Sequence, residues 1–525
     1  QMHALLDEVD NHRDRPGLLL VAANVVLSLD DPSPYIGLVE QACALTERQE
    51  NIDRTRQICA SLALHRAAPG GASCARGCDQ PWSLPMGIVS SVPVVMVSLQ
   101  GQPPAPFIID TGASTSVVTP AYAAQVGLNP LEQTDFTVLS SGGGIPTRYA
   151  LASLTLGGGL TLASVPVALV ELPINGIAGI ISPQDAFQHF VVELDFRGMS
   201  LGLTPREEAK PLGQEWVEFP LIRRDGNPYL MVQVGDRPER PMLVDTGASH
   251  TRLELRLEQM GSRLERRGQT VSLSAGGEVK TWMTSGSVSA RAGNLVWTMD
   301  EPRIYQPVHA GPIRNLGRFG LLGMDMFIGR ALVLDVHRRT LAVHRTARLE
   351  PWSVGSARTL DVRGALVEHP FSVHEEVTAA QAGQVDLDVQ ITRPNRSSHF
   401  RITTADTWAS RGAWMATRPV EGLWDLSSGT ATPQDPTKAQ EFWLPALVPF
   451  RTMGAPTVSV ETLDLGNATQ VCSRLEMEAE VVDAQRTIPA RAAFWECTGT
   501  PWRSAQMEVT EAGSGKLLWG FVQRP

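Results

Sequence analysis

Phe107-Ile-Ile-Asp-Thr-Gly-Ala-Ser114 and Met242-Leu-Val-Asp-Thr-Gly-Ala-Ser249 are two copies of one pattern, an apolar run that ends on the same pentapeptide. One carboxylate after an apolar run is common, because the turn that follows a strand often carries Asp. Two carboxylates in identical local sequence predict a symmetric pair. Paired carboxylates can share one proton and act on water as acid and base.

The similarity between the two copies extends beyond the pentapeptides. Residues 92–97 and 227–232 are similar runs at equal distances before the two Asp residues. After each pentapeptide the chain reads Gly179-Ile-Ile in one copy and Gly320-Leu-Leu in the other, each followed by a Phe and an apolar strand-like run. Shared order and spacing over about 120 residues indicate an internal duplication.

Length and composition restrict the protein class. A chain of 525 residues exceeds one hydrophobic core and predicts three or four domains. With 43% hydrophobic and 19% charged residues it is typical of globular proteins, and its net charge of −10 argues against nucleic-acid binding. The scarcity of Lys relative to Arg favours a bacterial source. The longest apolar run, residues 18–29, is too short to span a bilayer roughly 30 Å thick, so we expect no transmembrane segment.

Six cysteines fall into two groups, four near the start of the chain and two near its end. Even numbers in each region predict local disulfides, with free structural thiols as the alternative. We expect the pair Cys472–Cys497 because no other cysteine lies nearby, and we favour Cys43–Cys59 with Cys74–Cys78 among the three pairings open to the first group. A metal site is less favoured, since no second pair or His stands at ligand spacing. Disulfides predict an extracytoplasmic location, whether secreted, periplasmic or in the cell envelope.

Periodicity predicts the domain organisation. Residues 1–66 have apolar positions at helical spacing, and 67–85 are a Gly/Pro/Ala-rich linker. Residues 86–206 and 214–346 read as two similar units of short strands separated by Gly-rich turns. Residues 357–525 alternate apolar and polar side chains, which favours a separate β-sandwich-like module. We therefore predict a mainly β protein with a helical N-terminal domain and a C-terminal β-rich domain.

An apolar run ending in Asp-Thr-Gly-Ala-Ser, then a Gly-rich hairpin and an apolar–Gly–apolar–apolar segment, resembles the retropepsin-like branch of the aspartic proteases. The resemblance covers residues 86–346, and the motif is specific when it occurs twice. It implies a bilobal, pseudo-twofold core in which two lobes of one chain each supply one Asp. A single chain that supplies both lobes would act as a monomer.

The resemblance assigns the central roles to Asp110 and Asp245. These would face each other and bind one water between them; like charges at short distance cannot both ionise easily, so the pair holds a proton. Gly112 and Gly247 would allow the tight turn that brings backbone N–H groups to the carboxylates.

The neighbouring residues of the pentapeptides would support the dyad. The resemblance implies that Thr111 and Thr246 reach across to the backbone of the opposite lobe. Ser114 and Ser249 stand where the family often has a residue that hydrogen-bonds the outer carboxylate oxygen. Ser182 departs from the family pattern, which usually has Gly at that position.

Two Gly-rich turns would form the flaps that close on an extended peptide, one in each lobe. Their glycines are Gly142, Gly143 and Gly144 in the first copy, and Gly276 and Gly277 in the second. Taken singly, each turn is equally typical of an ordinary hairpin.

The function predicted is therefore an aspartic endopeptidase that acts on an extended peptide or protein substrate. No His-Glu-x-x-His or Gly-x-Ser-x-Gly motif is present in the sequence, and we expect neither a metal nor a cofactor. The alternative is a catalytically inactive relative that binds a peptide or a partner protein. Retention of both Asp-Thr-Gly triplets favours the enzyme, because a binding cleft has no need of two acidic groups that are costly to place together.

Overall fold

The structure is a computed structural model, and it describes most of the chain from residue 36 onward. The described residues are 36–46, 52–68, 71–89, 92–132, 134, 136–140, 143–172, 176–196, 200–224, 227–254, 265–274, 277–285, 287–300, 302–305, 320–327, 329–345, 354–367, 370–381, 384–394, 396–405, 422–435, 450–464, 469–483, 486–497 and 504–523. Within these residues the protein is mainly β.

The described part of the predicted N-terminal domain consists of two helices, α1 (Ile36–Thr46) and α2 (Ile52–Ala67). A disulfide, Cys43–Cys59, joins them with Cα atoms 5.3 Å apart. The rest of 1–66 lies outside the described residues, so the helical domain as a whole stays a prediction.

The first lobe, as we call it, is an eight-stranded sheet in the order β1-β10-β6-β11-β5-β4-β3, with β9 paired to both β10 and β4. Its strands are β1 (Ser73–Arg76), β3 (Gly87–Val89), β4 (Val92–Leu99), β5 (Ala105–Ile109), β6 (Ser116–Val118), β9 (Tyr149–Leu156), β10 (Leu160–Leu169) and β11 (Gly179–Ile181). A separate hairpin consists of β7 (Phe136–Ser140) and β8 (Gly143–Thr147), and two short helices are α3 (Pro120–Gln125) and α4 (Pro183–Ala186).

The second lobe is a ten-stranded sheet in the order β19-β20-β23-β18-β24-β17-β16-β21-β22, with β15 paired to β16. Its elements are β15 (Ile222–Arg224), β16 (Asn227–Val234), β17 (Arg240–Val244), β18 (Arg252–Leu253), β19 (Glu265–Ser274), β20 (Gly277–Ser285), β21 (Ser287–Ala292), β22 (Leu295–Asp300), β23 (Arg303–Tyr305), β24 (Gly320–Leu322) and helix α5 (Met324–Phe327).

A six-stranded sheet connects the two lobes, in the order β14-β26-β25-β12-β13-β2. Its strands are β2 (Trp82–Pro85), β12 (Phe190–Asp195), β13 (Ser200–Pro205), β14 (Trp216–Pro220), β25 (Ala331–Asp335) and β26 (Thr340–His344); a single 3-10 turn, Arg206–Glu208, follows β13. Strands β12 and β25 come from the two halves and pair antiparallel, with Val192 opposite Leu334. One apolar cluster runs through both lobes and this sheet.

The segment 67–85, predicted to be a linker, contributes two strands to these sheets. Strand β1 pairs with β10, and β2 pairs with β13. Ala72 and Leu84 are buried there. Two four-residue strands among Gly and Pro carry too few apolar residues to show a strand pattern in the sequence.

The C-terminal region is one eleven-stranded antiparallel sheet in the order β32-β31-β30-β29-β28-β27-β37-β36-β35-β34-β33. The strands are β27 (Ala357–Arg363), β28 (Phe371–Gln381), β29 (Gln384–Arg393), β30 (Arg396–Ala405), β31 (Gly422–Asp425), β32 (Thr432–Gln434), β33 (Phe450–Asp464), β34 (Thr469–Asp483), β35 (Arg486–Cys497), β36 (Ser504–Glu511) and β37 (Leu517–Gln523). All of them belong to one hydrogen-bonded sheet, so the two sheets of a sandwich are not shown.

The predicted cysteine pairs are those of the structure. Cys74–Cys78 have Cα atoms 6.1 Å apart, and Cys472–Cys497 have Cα atoms 4.3 Å apart on the neighbouring strands β34 and β35. Paired cysteines indicate an oxidising compartment.

Candidate active site

The two pentapeptides occupy equivalent places at the ends of β5 and β17. Each of these strands pairs in parallel with a short downstream strand, so that Ile109 lies opposite Ile181 and Val244 opposite Leu322. The Asp110 amide donates to the Ile181 carbonyl at 3.0 Å, and the Asp245 amide donates to the Leu322 carbonyl at the same distance. Gly179 and Gly320 begin the downstream strands because added Cβ atoms would lie 2.1 Å and 2.0 Å from backbone oxygens of the neighbouring strand. The apolar–Gly–apolar–apolar segments therefore fix the backbone position of each Asp.

Thr111 and Thr246 hold the two turns against each other. The Thr111 hydroxyl donates to the Val244 carbonyl at 2.8 Å, and the Thr246 hydroxyl donates to the Ile109 carbonyl at 2.7 Å. Each hydroxyl also accepts from the backbone N–H of the other Thr, at 3.0 and 3.1 Å. Both side chains are fully buried, so the four bonds are shielded from water and fix the turns firmly.

The carboxyl groups of Asp110 and Asp245 lie within hydrogen-bonding reach of each other. Burial raises the pKa of Asp110 well above its ordinary value, and the charge of Asp245 raises it further. The backbone N–H groups of Gly112 and Gly247 donate to Asp110 and oppose that rise in pKa, the first at 2.7 Å from Oδ1. Such a pair takes up and releases its protons as a unit, and it retains one proton over a range of pH in which a lone Asp is ionised.

Gly112 and Gly247 are required by the close approach of the carboxylates. A Cβ atom at Gly112 would lie 2.6 Å from Cγ of Asp245, and one at Gly247 would lie 2.4 Å from Cγ of Asp110. Each glycine therefore leaves room for the carboxylate of the opposite lobe.

The serines of the pentapeptides have different surroundings. Ser114 is exposed, whereas the hydroxyl of Ser249 lies 2.8 Å from Nδ1 of His250 in its own lobe. A hydrogen bond from either serine to the outer carboxylate oxygen stays a prediction.

The hairpins β7–β8 and β19–β20 lie at the positions predicted for the two flaps. In the first lobe Ser140 pairs with Gly143 and Leu139 with Gly144, and in the second Ser274 pairs with Gly277. The predicted flap glycines Gly142 and Gly276 lie outside the described residues. That these hairpins close on a substrate stays a prediction.

Ser182, the residue that departs from the family pattern, is fully buried and supports the first pentapeptide. Its hydroxyl donates to the Ala113 carbonyl at 2.7 Å. In the second lobe the equivalent acceptor, the Ala248 carbonyl, receives the backbone N–H of Met324 at 2.8 Å. The residue after Ser182 is Pro183, which has no N–H to donate. The serine hydroxyl thus supplies the hydrogen bond that the proline cannot, and the altered motif leaves the turn supported.

Gln184 makes a further hydrogen bond to the first pentapeptide, and the second copy has no residue at the equivalent position of the sequence. Its side-chain amide donates to the Thr111 carbonyl at 2.5 Å, and it is the residue by which the first copy is longer than the second. The sequence alone does not reveal this role, since a side chain-to-backbone bond across 73 residues leaves no local pattern.

Two further carboxylates, Asp185 and Asp325, were also missed. Asp185 accepts from the Thr115 hydroxyl and the Ser116 amide, both at 3.3 Å, and burial raises its pKa to about 7. In the second lobe Asp325 accepts from the amide and hydroxyl of Thr251, and burial raises its pKa too. The signal that could have found them is an Asp soon after each downstream Gly segment. They brace the strands that leave the pentapeptides.

Helix α2 packs on the first lobe near this site. Ala60 is fully buried in one apolar cluster with Val117, Tyr149 and Ala168, and Leu64 packs against the same cluster. Ser61 also hydrogen-bonds Tyr149. Helix α2 therefore covers a face of the first lobe.

The part of the chain that the structure describes shows neither a metal-binding cluster nor a membrane-spanning helix. Those residues contain no group of three or more His, Cys, Asp or Glu side chains that could hold a metal ion. No helix among them is long and apolar enough to cross a membrane.

One family model matches a part of the first lobe. A family model described as aspartyl protease matches residues 95–182, from within β4 to Ser182. A search of curated protein sequences returned no match. The structure of the aspartic proteinase from Irpex lacteus is similar at 12% identity and a TM-score of 0.36, over 51% of this chain and 98% of that chain.

Two seed proteins are similar at the same level. Conglutin gamma, a basic 7S globulin from lupine seeds, is 12% identical with a TM-score of 0.32, over 51% of this chain and 96% of that chain. The basic 7S globulin from soybean is 11% identical with a TM-score of 0.31, over 51% of this chain and 95% of that chain. At these values we draw no functional conclusion from the solved structures.

Proposed function

We propose, from the aspartic-protease-like fold and its paired carboxylates, that this chain is an aspartic endopeptidase. The observation that carries the proposal is the exchange of hydrogen bonds between Thr111 and Thr246, which sets Asp110 and Asp245 face to face. A protein that only bound peptides would gain nothing from two carboxylates so close that they repel each other.

The chemistry follows from one proton shared by two carboxyl groups. The ionised carboxylate takes a proton from the attacking water, while the protonated one donates a hydrogen bond to the carbonyl oxygen of the scissile peptide. The oxygen of the water bonds to the carbonyl carbon and gives a tetrahedral species. When the C–N bond breaks, the nitrogen takes up the proton that the carboxylate received from the water and leaves as an amine, and the carboxyl product keeps the oxygen from water. No covalent bond to the enzyme forms.

The substrate would lie extended across the two pentapeptides, beneath the hairpins β7–β8 and β19–β20. A single chain supplies both carboxylates, so we expect the monomer to be the active form. The disulfides support an oxidising, extracytoplasmic compartment for this activity.

Because helix α2 packs on the first lobe, the test includes a variant that displaces this helix. It covers an apolar face of the first lobe that includes Ile180, the neighbour of Ile108 in β5. We expect Ala60→Arg to displace α2, because a charged side chain cannot be buried against Val117 and Ala168 without a partner. Ala60 belongs to a cluster separate from the main core of the lobes, so this substitution leaves that core intact.

The test is cleavage of a diverse peptide mixture between about pH 3 and pH 7, the range in which such a pair titrates. Wild type and Ala60→Arg are each compared with the same chain carrying Asp110→Asn or Asp245→Asn, and new peptide termini are read by mass spectrometry. We expect cleavage that either Asn substitution abolishes. Loss of activity as pH rises should follow the raised pKa of the pair. Absence of cleavage by both parent chains would leave the peptide-binding alternative as the better explanation. Cleavage that survives the Asn substitutions would show that Asp110 and Asp245 are not the catalytic pair.

A further inference from the structure

The two hairpins predicted as flaps differ in how they join their lobes. Strand β20 of the second-lobe hairpin pairs with β23, with Trp282 opposite Ile304, so this hairpin belongs to the ten-stranded sheet. Among the strands that the structure describes, β7 and β8 of the first-lobe hairpin pair only with each other. A hairpin of two strands is marginally stable in water unless another element packs against it. The first-lobe hairpin therefore needs a support that the second obtains from its sheet.

Helix α2 is an element that lies against the first-lobe hairpin. The helix contacts β7, and Ile145 of β8 packs against the apolar cluster that contains Ala60 and Tyr149. Leu64, one turn after Ala60, packs against the same cluster. Because residues four apart lie on one face of a helix, Ala60 and Leu64 present the same face of α2 to the lobe. The helix thus reaches both strands of the hairpin.

Tyr149 links α2 to the base of the hairpin. It comes shortly after β8, and its side chain is buried. Its carbonyl accepts from the amide of Leu131 at 2.7 Å, and its own amide donates to the Thr134 hydroxyl at 3.2 Å. Ser61 of α2 hydrogen-bonds the same tyrosine. The chain segments that enter and leave the hairpin are thereby joined to each other and to the helix.

Helix α2 is itself fixed on two sides. The disulfide Cys43–Cys59 joins it to α1. Beyond its last turn the chain enters β1, which pairs with β10 of the first lobe. Just before β1, the Ala72 carbonyl accepts from the side-chain amide of Gln188 at 2.7 Å. The helix is therefore held in a defined place relative to the lobe, as a support for another element must be.

We propose that helix α2 holds the first-lobe hairpin in place as a part of the substrate-binding cleft. Its positioning residues are Ala60, Ser61 and Leu64. The effect on substrate rests on the proposed function, whereas the support of the hairpin is a property of the fold alone. The two flaps are then unequal, because a strand ladder holds one and a helix from outside the duplicated halves holds the other.

Hydrogen exchange of the full chain, read by mass spectrometry, tests the support directly. Ala60→Arg places a charge in the apolar cluster and displaces α2, so β7 and β8 should exchange at least about 10-fold faster while β19 and β20 keep their wild-type rates. Ala67→Arg is the matched control, because Ala67 lies on the same helix and is exposed. It should change the exchange of neither hairpin.

Ser61→Ala is a milder variant that leaves the apolar cluster intact. It removes the hydrogen bond to Tyr149 and should speed the exchange of β7 and β8 by about 2- to 10-fold. If Ala60→Arg also loses protection in β10 and β12, the lobe itself has unfolded, and Ser61→Ala decides. Unchanged exchange of β7 and β8 in the deciding variant, or a hairpin that is already unprotected in the wild type, overturns the proposal.

Kinetics distinguishes a support from an obstruction. On peptides that the wild type cleaves, Ala60→Arg should raise KM about 10-fold with kcat little changed, since a flap contributes contacts that bind substrate and transition state alike. Greater activity of Ala60→Arg than of the wild type would show that α2 blocks the cleft, and it overturns the proposal. If no chain cleaves, the proposed function fails, and the exchange of β7 and β8 alone decides whether α2 supports the hairpin.

Discussion

Replacing Thr111 by Val should destabilise the contact between the lobes while leaving the shape of the side chain almost unchanged. The hydroxyl of Thr111 donates to the Val244 carbonyl at 2.8 Å and accepts from the Thr246 amide at 3.1 Å. Valine leaves both backbone groups without that partner in a fully buried place. A buried polar group left unpaired costs about 1–3 kcal/mol, so two such groups lower the free energy of unfolding by about 2–6 kcal/mol.

Urea-dependent hydrogen exchange of β5 and β17 measures this loss in the lobes themselves, apart from the C-terminal sheet. Thr111→Ser is the control, because it keeps the hydroxyl and removes one methyl group, at a cost of about 1 kcal/mol. The Val variant should also lose activity by about 100-fold, since a displacement of about 1 Å in a reacting group has that effect. Equal protection of β5 and β17 in the Val and Ser variants would refute the reasoning.

Three further substitutions test the surroundings of the dyad. Gly247→Ala places a Cβ atom 2.4 Å from Cγ of Asp110 and should lower kcat about 100-fold, whereas Gly513→Ala, with no atom within 4 Å of the added Cβ, should leave it unchanged. Ser182→Ala leaves the Ala113 carbonyl without its donor, and we expect thermal denaturation to show a loss of about 1–3 kcal/mol that Ser182→Thr largely restores. Asp185 has its pKa raised from 3.8 to about 7, so the folded state binds its proton more tightly and loses about 4 kcal/mol of stability as pH rises between those values. Asp185→Asn should therefore flatten the decline of Tm between about pH 4 and pH 7, and parallel pH profiles in the two proteins would contradict this assignment.

Much of the candidate site is local in the sequence and could be predicted from it. Asp110 and Asp245 each end an apolar strand, and the strand, the turn and the glycine after it are contiguous residues. The pair Cys472–Cys497 could be predicted because no other cysteine lies in that region, and the structure joins these residues across neighbouring strands. Segment 67–85 could not be read in the same way, because β1 and β2 are too short to show a period.

The sequence by itself determined the parts of the candidate site: two identical turns that carry carboxylates, glycines in those turns, and two similar halves of the chain that each hold one turn. Only the tertiary structure decided how these parts act on one another. The Thr111–Thr246 exchange and the Ser182 hydroxyl that replaces the amide missing at Pro183 both depend on contacts between distant segments. Parallel strand pairing and side chain-to-backbone bonds bring such segments together, and neither leaves a periodic pattern in the chain.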